Sequence, residues 1–137
     1  MAAQIFVNLP VRDLNASQAF FGALGYAFDP NFTDETAACM VISDGIYAML
    51  LTHAKFREFT PKPICDATQS TEVLVALSCE SRAQVDELVQ KAVAAGGSTY
   101  HEPVDYGFMY LHGFQDLDGH IWELLFMEAN AVGSAAP

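Results

Sequence analysis

Apolar and polar positions alternate in short runs along this chain, and two longer runs follow helical spacing instead. Gln4 to Leu9 is a short apolar run ending at Pro10, which predicts a strand. Asp13 then offers a carboxylate to cap a helix, and Leu14, Phe20, Phe21 and Leu24 fall on one face of it. Gly25 ends that helix. Tyr26–Phe32 and Ala37–Ser43 read as strands. Asp44-Gly45 is a hairpin turn and Ile46–Thr52 the return strand. The segment from His53 to Ser70 breaks the pattern with Pro61 and Pro63. It predicts a linker with about one helical turn.

Regularity then returns. Glu72–Cys79 reads as a strand. Ser81 with Gln84 forms a capping box, in which both side chains satisfy free N–H groups at a helix start. Val85, Leu88, Val89, Ala92 and Val93 follow at helical spacing, and Gly96-Gly97 closes the helix. Ser98–Glu102 reads as a strand and Asp105-Tyr106-Gly107 as a turn. Phe108–Gln115 is a strand, Asp118-Gly119 a second hairpin turn, and His120–Glu128 the last strand. Residues 129–137 read as a frayed tail.

The same unit therefore occurs twice: strand, helix, then three strands. A helix-ending glycine leads to an Asp-Gly hairpin in each half, over 20 residues from Gly25 to Gly45 and 23 from Gly96 to Gly119. The repeat is one of pattern, since the letters of the halves differ. The predicted fold is α+β, with two βαβββ modules forming a curved mixed sheet. Helices cover its convex face and the other face is an open cleft. The expected organisation is a single domain over 1–137. Module one spans about 4–52, the linker 53–70, module two about 72–127 and the tail 129–137.

Composition supports a packed core. The 137 residues are 52% hydrophobic and 17% charged, which excludes a disordered chain. The balance of 6 basic against 17 acidic residues, net −11, argues against nucleic acid and anionic membranes as partners. No apolar run approaches a membrane span. Residues 1–4 lack a basic flank and apolar signal core, so a cytoplasmic location is expected. Cys39, Cys65 and Cys79 form no metal-type pair and read as reduced fillers. Half of the 6 basic residues, Lys55, Arg57 and Lys62, cluster beside Phe56 and Phe59. They form either a positively charged lid or, slightly favoured, a solvated loop with two anchored rings.

Two stretches carry a resemblance. One is Phe6-Val7-Asn8-Leu9-Pro10-Val11-Arg12-Asp13-Leu14 with Ala19-Phe20-Phe21-Gly22-Ala23-Leu24-Gly25-Tyr26. The other is Asp116-Leu117-Asp118-Gly119-His120-Ile121-Trp122-Glu123-Leu124. Over roughly residues 4–127 the chain resembles the vicinal oxygen chelate superfamily of glyoxalases, fosfomycin- and bleomycin-resistance proteins and extradiol dioxygenases. Leu117 stands where that family usually has proline.

The family's metal enzymes hold a divalent ion with one side chain from each of four strands. The resemblance matches Glu123 to the last of these ligands. It places Phe6, Leu50 and Leu74 at the other three, and none of them can ligate. Asn8 on the first strand is a poor ligand for zinc or nickel. Glu72 shares the parity of Leu74 and is expected to face the cleft. Two carboxylates fall short of the three protein ligands a catalytic metal usually needs. No cofactor is therefore expected, with a divalent metal at Glu123 as the alternative.

Period two sets Glu123 with Ile121 and Leu125 on one face, leaving Trp122, Leu124 and Phe126 as core. Glu123 is then a residual carboxylate, hydrogen-bonded or wet, a general base or a cation anchor. His53, His101, His112 and His120 have no metal-type spacing. His120 and His101 are expected at the surface and His53 at a strand end. His112, one strand before Glu123, is the best of the four for the cleft. Tyr47, Tyr106 and Tyr110 read as packing residues.

The predicted ligand-binding cleft comprises Phe6, Asn8, Leu50, Glu72, Leu74, His112 and Glu123. The first functional reading is a metal-independent protein that binds a small organic molecule there. This is the style that resemblance to acidic, dimeric bleomycin-resistance proteins implies, and it brings a homodimer with it. The alternatives are a glyoxalase-like lyase or isomerase with an altered metal site, with Glu123 the catalytic candidate, and a non-catalytic interaction domain.

Overall fold

The computed structural model describes residues 3–128, and the predicted tail lies outside the described residues. The chain divides into two compact units, Met1–Asp66 and Ala67–Pro137. Each contains one mixed four-stranded sheet, in the order β1-β4-β3-β2 in the first and β5-β8-β7-β6 in the second.

In the first unit, β1 (Ile5–Val11) leads into α1 (Leu14–Ala23). The Asp13 carboxylate accepts from the Ala16 N–H at 3.1 Å, so the expected cap is in place. Gly25 follows the helix with φ +106°, a conformation that favours glycine. Beyond it the expected strand Tyr26–Phe32 shrinks to β2 (Ala27–Phe28) and a 3-10 turn, Pro30–Phe32. Asp29 is the reason. Its side chain accepts from Asn31 N–H at 2.9 Å and, with Pro30 next, starts a turn that competes with the ladder. β3 (Ala37–Ser43) and β4 (Ile46–Thr52) form the predicted hairpin.

β1 is an edge strand, and this lets Pro10 sit inside it. It runs parallel to β4, with Phe6 beside Tyr47, Asn8 beside Met49 and Leu9 beside Leu50. Leu9, Val11, Ala48, Leu50, Phe20 and Phe21 are all buried and make the core between α1 and its sheet. The helical turn expected after β4 is α2 (His53–Arg57), capped by the Thr52 hydroxyl, which accepts from Lys55 N–H.

In the second unit, β5 (Leu74–Ser78) is followed by α3 (Arg82–Ala94). Ser81 Oγ accepts from Gln84 N–H at 3.0 Å. The Gln84 side chain reaches back to Glu80 N–H at 2.7 Å, one residue before the expected target. Residues 98–102 form only an isolated bridge, Ser98 to Gln115, where a strand was expected. The short β6 (Val104–Asp105) takes its place at the sheet edge. β7 (Met109–Gln115) and β8 (Ile121–Met127) complete the sheet. α3 packs on β7 and β8 over Val85, Val89, Ala92, Phe114, Trp122 and Leu124, all buried.

The hairpin before β8 is braced from below. Asp116 is buried and accepts from Asp118 N–H, His120 N–H and the Trp122 indole N–H at 2.9–3.0 Å. Burial pushes its carboxyl above the usual range, and the neighbouring His120 and these donors oppose that. No helix among the described residues is long and apolar enough to cross a membrane.

Candidate functional site

Glu123 lies in β8, second in sheet order, between Ala76 of β5 and Gly113 of β7. Its face also carries Leu74 and Ser78 on β5, Ile121 and Leu125 on β8, and Leu111 and Gln115 on β7. The smallest side chains of the set flank the carboxylate directly. Leu74 is exposed, while Ile121, Leu125 and Leu111 are half-buried. The opposite face is closed by Val75, Trp122, Leu124 and Phe114. Glu123 therefore belongs to the open, mainly apolar face, as its period-two position predicts. Among the described residues, no hydrogen-bond donor or cation is paired with its carboxylate.

Tyr100 is the residue that sequence reasoning missed. Its hydroxyl is fully buried and has no hydrogen-bond partner among the described residues. A Cβ added at Gly113 would lie 2.5 Å from that oxygen and 2.6 Å from the Trp122 carbonyl oxygen. The phenol thus occupies the space that glycine leaves opposite Glu123. Burial raises the Tyr100 pKa, and the negative charge of Glu123 raises it further. The signal was Gly113 itself: a glycine inside a strand marks a close approach.

The other predicted residues scatter. Leu74 shares the face of Glu123. Glu72 does not. It precedes β5 and turns its carboxylate toward the His120 imidazole, with Oε1 3.3 Å from Nδ1. His120 is only 2% exposed, which corrects the expectation of a surface residue. A buried imidazole needs partners, and Glu72 is one.

His112 pairs with Leu124, so it lies on the face opposite Glu123. Its Nε2 is 3.1 Å from the His101 carbonyl oxygen. His101 is exposed, as expected. In the first unit, Phe6 and Asn8 share a face with Tyr47 and Met49, and the Phe6 and Tyr47 rings stack at 4.9 Å. Leu50 is on the other face, fully buried beside Leu9. Phe6 and Leu50 therefore do not share a face. Counting from the hairpin glycines, Met49 is to Gly45 as Glu123 is to Gly119.

The remaining candidates have local roles. Tyr110 donates its hydroxyl to Asp86 at 2.6 Å, and that bond pushes its pKa up to about 12. Lys55 pairs with Glu58 at 3.4 Å and stands 5.7 Å over the Phe59 ring. Cys39 is buried, and burial raises its thiol pKa and that of Cys79.

Residues 4–43 match the model of the bleomycin resistance protein-like N-terminal family. A hypothetical protein from S. aureus is 30% identical, with a TM-score of 0.77 over 92% of this chain and 95% of that one. The fold is that of the vicinal oxygen chelate superfamily. Structures of lower identity share it. A glyoxalase/bleomycin resistance protein/dioxygenase family enzyme from Burkholderia phytofirmans has 17% identity and a TM-score of 0.76, covering 93% of this chain and 100% of that one. Fosfomycin resistance protein FosX from Mesorhizobium loti has 14% identity and a TM-score of 0.70, covering 99% of each. No curated protein matches the chain.

The superfamily's divalent ion does not fit the donors present. Among the described residues, no three His, Cys, Asp or Glu side chains gather where they would hold a metal. The register replaces Leu50 by Met49 or Tyr47 on the face of Phe6. Neither is a carboxylate or an imidazole, and the Tyr47 ring is stacked on Phe6. Glu123 remains one carboxylate where about three protein ligands are needed.

Proposed function

We propose that this chain binds a small organic cation, with no metal of its own, on the apolar sheet face of its second unit. The carboxylate of Glu123 is the anchor. One observation carries the reading: an acidic side chain stands on an open apolar face, flanked by Ala76 and Gly113, with no cation paired to it among the described residues. A carboxylate that is partly desolvated and has no internal cation favours a positively charged ligand, and the apolar side chains around it favour that ligand's hydrocarbon part. The net charge of −11 draws cations and repels anions. The match of residues 4–43 to a bleomycin resistance protein-like model supports binding in preference to turnover. Action as a cytoplasmic homodimer belongs to the same proposal.

The test is a thermal-shift panel of cationic and anionic aromatic compounds, run with the wild type and Glu123→Gln. Cations raise the melting temperature of the wild type. Glu123→Gln weakens their binding roughly tenfold by removing a charge-assisted contact. A panel in which anions bind and cations do not would overturn the reading. About one firmly held divalent ion per purified chain would overturn its metal-free part. Glutathione-hemithioacetal turnover abolished by Glu123→Ala would replace sequestration with a glyoxalase-like lyase.

A further inference from the structure

Two groups with complementary needs lie side by side on the second sheet. The Tyr100 hydroxyl is sealed from solvent and has no partner among the described residues. The Glu123 carboxylate accepts no hydrogen bond from them. Gly113 and Glu123 are directly opposed in the β7–β8 ladder. Opposed Cβ positions lie about 4.5–5.5 Å apart. The hydroxyl is 2.5 Å from where a Gly113 Cβ would stand, and the Glu123 side chain reaches three bonds from its own Cβ to a carboxylate oxygen. Rotation about its side-chain bonds sweeps the Glu123 oxygens through the space beside Gly113, and the Glu123 charge already acts on the Tyr100 phenol. A phenol shut away from water has to find its acceptor inside the protein, and leaving it without one is costly.

We propose that Tyr100 donates its hydroxyl to one oxygen of Glu123 and so limits the ligand to the other oxygen, which selects ammonium-type cations over guanidinium-type ones. The ligand half of this rests on the function proposed above. A guanidinium is a planar fork that matches both oxygens of a free carboxylate. Each carboxylate oxygen has two lone pairs, and where Tyr100 takes the one the fork would use, that two-point match is lost. An ammonium group is a compact point charge and needs only one oxygen. Tyr100 is thus a positioning residue. It acts on the ligand through Glu123, and Gly113 makes room for it.

The pairing is tested without any ligand by a double-mutant cycle on unfolding. Tyr100→Phe lowers the folding equilibrium constant roughly tenfold in the wild type, the size of a hydrogen bond to a charged group. It changes little in Glu123→Leu, where the acceptor is gone. Glu123→Gln retains an accepting oxygen, so much of the Tyr100→Phe effect survives there. Equal effects of Tyr100→Phe in the wild type and in Glu123→Leu would overturn the pairing and direct the hydroxyl to the Trp122 carbonyl instead.

The ligand half is tested with phenethylammonium and phenethylguanidinium, titrated by NMR. The wild type binds the ammonium several-fold tighter, and Tyr100→Phe loses that preference. A wild type that prefers the guanidinium would overturn the selection rule. If neither cation binds while the cycle shows coupling, the proposed function fails and the selection rule with it, but the Tyr100–Glu123 pair stands.

Discussion

Gly113 stands directly opposite Glu123 in the β7–β8 ladder, and the missing side chain is replaced by the hydroxyl of Tyr100. Alanine at 113 would place its methyl 2.5 Å from that hydroxyl and 2.6 Å from the Trp122 carbonyl oxygen. The phenol can swing aside, but the backbone of a central strand cannot. Gly113→Ala is therefore expected to destabilise the protein by about 1–3 kcal/mol, the usual cost of overpacking. Urea unfolding of the variant checks this. An unchanged midpoint would show that β8 yields at Trp122.

The two hairpin glycines make a matched pair with different surroundings. Gly45 has φ +78° and open space where a Cβ would point. Gly119 has φ +90°, and its Cβ would meet the Ala67 carbonyl oxygen at 2.8 Å and the Thr68 nitrogen at 2.9 Å. Gly45→Ala should cost only the left-handed conformation, about 1–2 kcal/mol. Gly119→Ala adds a backbone clash and should cost at least about 1 kcal/mol more. Equal midpoints in denaturant would contradict this difference.

Leu50 and Phe6 offer a comparison across the first sheet. Leu50 is fully buried, whereas Phe6 is 49% exposed on the opposite face. Leu50→Ala should destabilise by about 2–5 kcal/mol, as core truncations to alanine do. Phe6→Ala should cost under about 1 kcal/mol. Thermal melts of both variants decide it, and a reversed order would place the core on the wrong side of β1.

Asp116 and Asp105 should give stability profiles of opposite slope against pH. Burial raises the folded pKa of Asp116 above its ordinary 3.8, so the folded state binds more protons over that interval. Its contribution is full below 3.8 and is lost as pH rises through the raised value. Asp105 is lowered from 3.8 by the Gly107 N–H and then by Arg82. Its contribution is present above 3.8 and is lost as pH falls through the lowered value. Melting temperatures across the acid range check both. The gap between wild type and Asp116→Asn should narrow with rising pH, and that for Asp105→Asn should widen. A parallel pair of profiles would refute the assignment.

Local signals were legible where the chain closes its own hydrogen bonds. Asp13 caps α1 and Ser81 caps α3, and the Asp-Gly hairpins turn where they are written. The face of Glu123 followed from period two, since β8 is regular from Ile121 to Met127. The parity of β1 against β4 was not legible. A parallel pair joins strands about forty residues apart, and no turn fixes their register; the resemblance sets Leu50 with Phe6, and the ladder puts Met49 and Tyr47 on that face instead. Long-range side-chain contacts were equally silent. Glu72 and His120 are 48 residues apart, and their meeting is what takes one from the open face and the other from the surface. A strand over residues 98–102 gives Tyr100 no special role, whereas a single bridge leaves the phenol free to turn in.

The strand order has a consequence for how the chain assembles. In each unit the first strand is held at the sheet edge by the last one made, β1 by β4 and β5 by β8. Until that last strand is in place, the first has no neighbour to bond, and the helix that follows it has only part of a sheet to cover. Each unit should therefore form in a single cooperative event gated by a long-range closure, with β1 and β5 acquiring amide-exchange protection no earlier than β4 and β8.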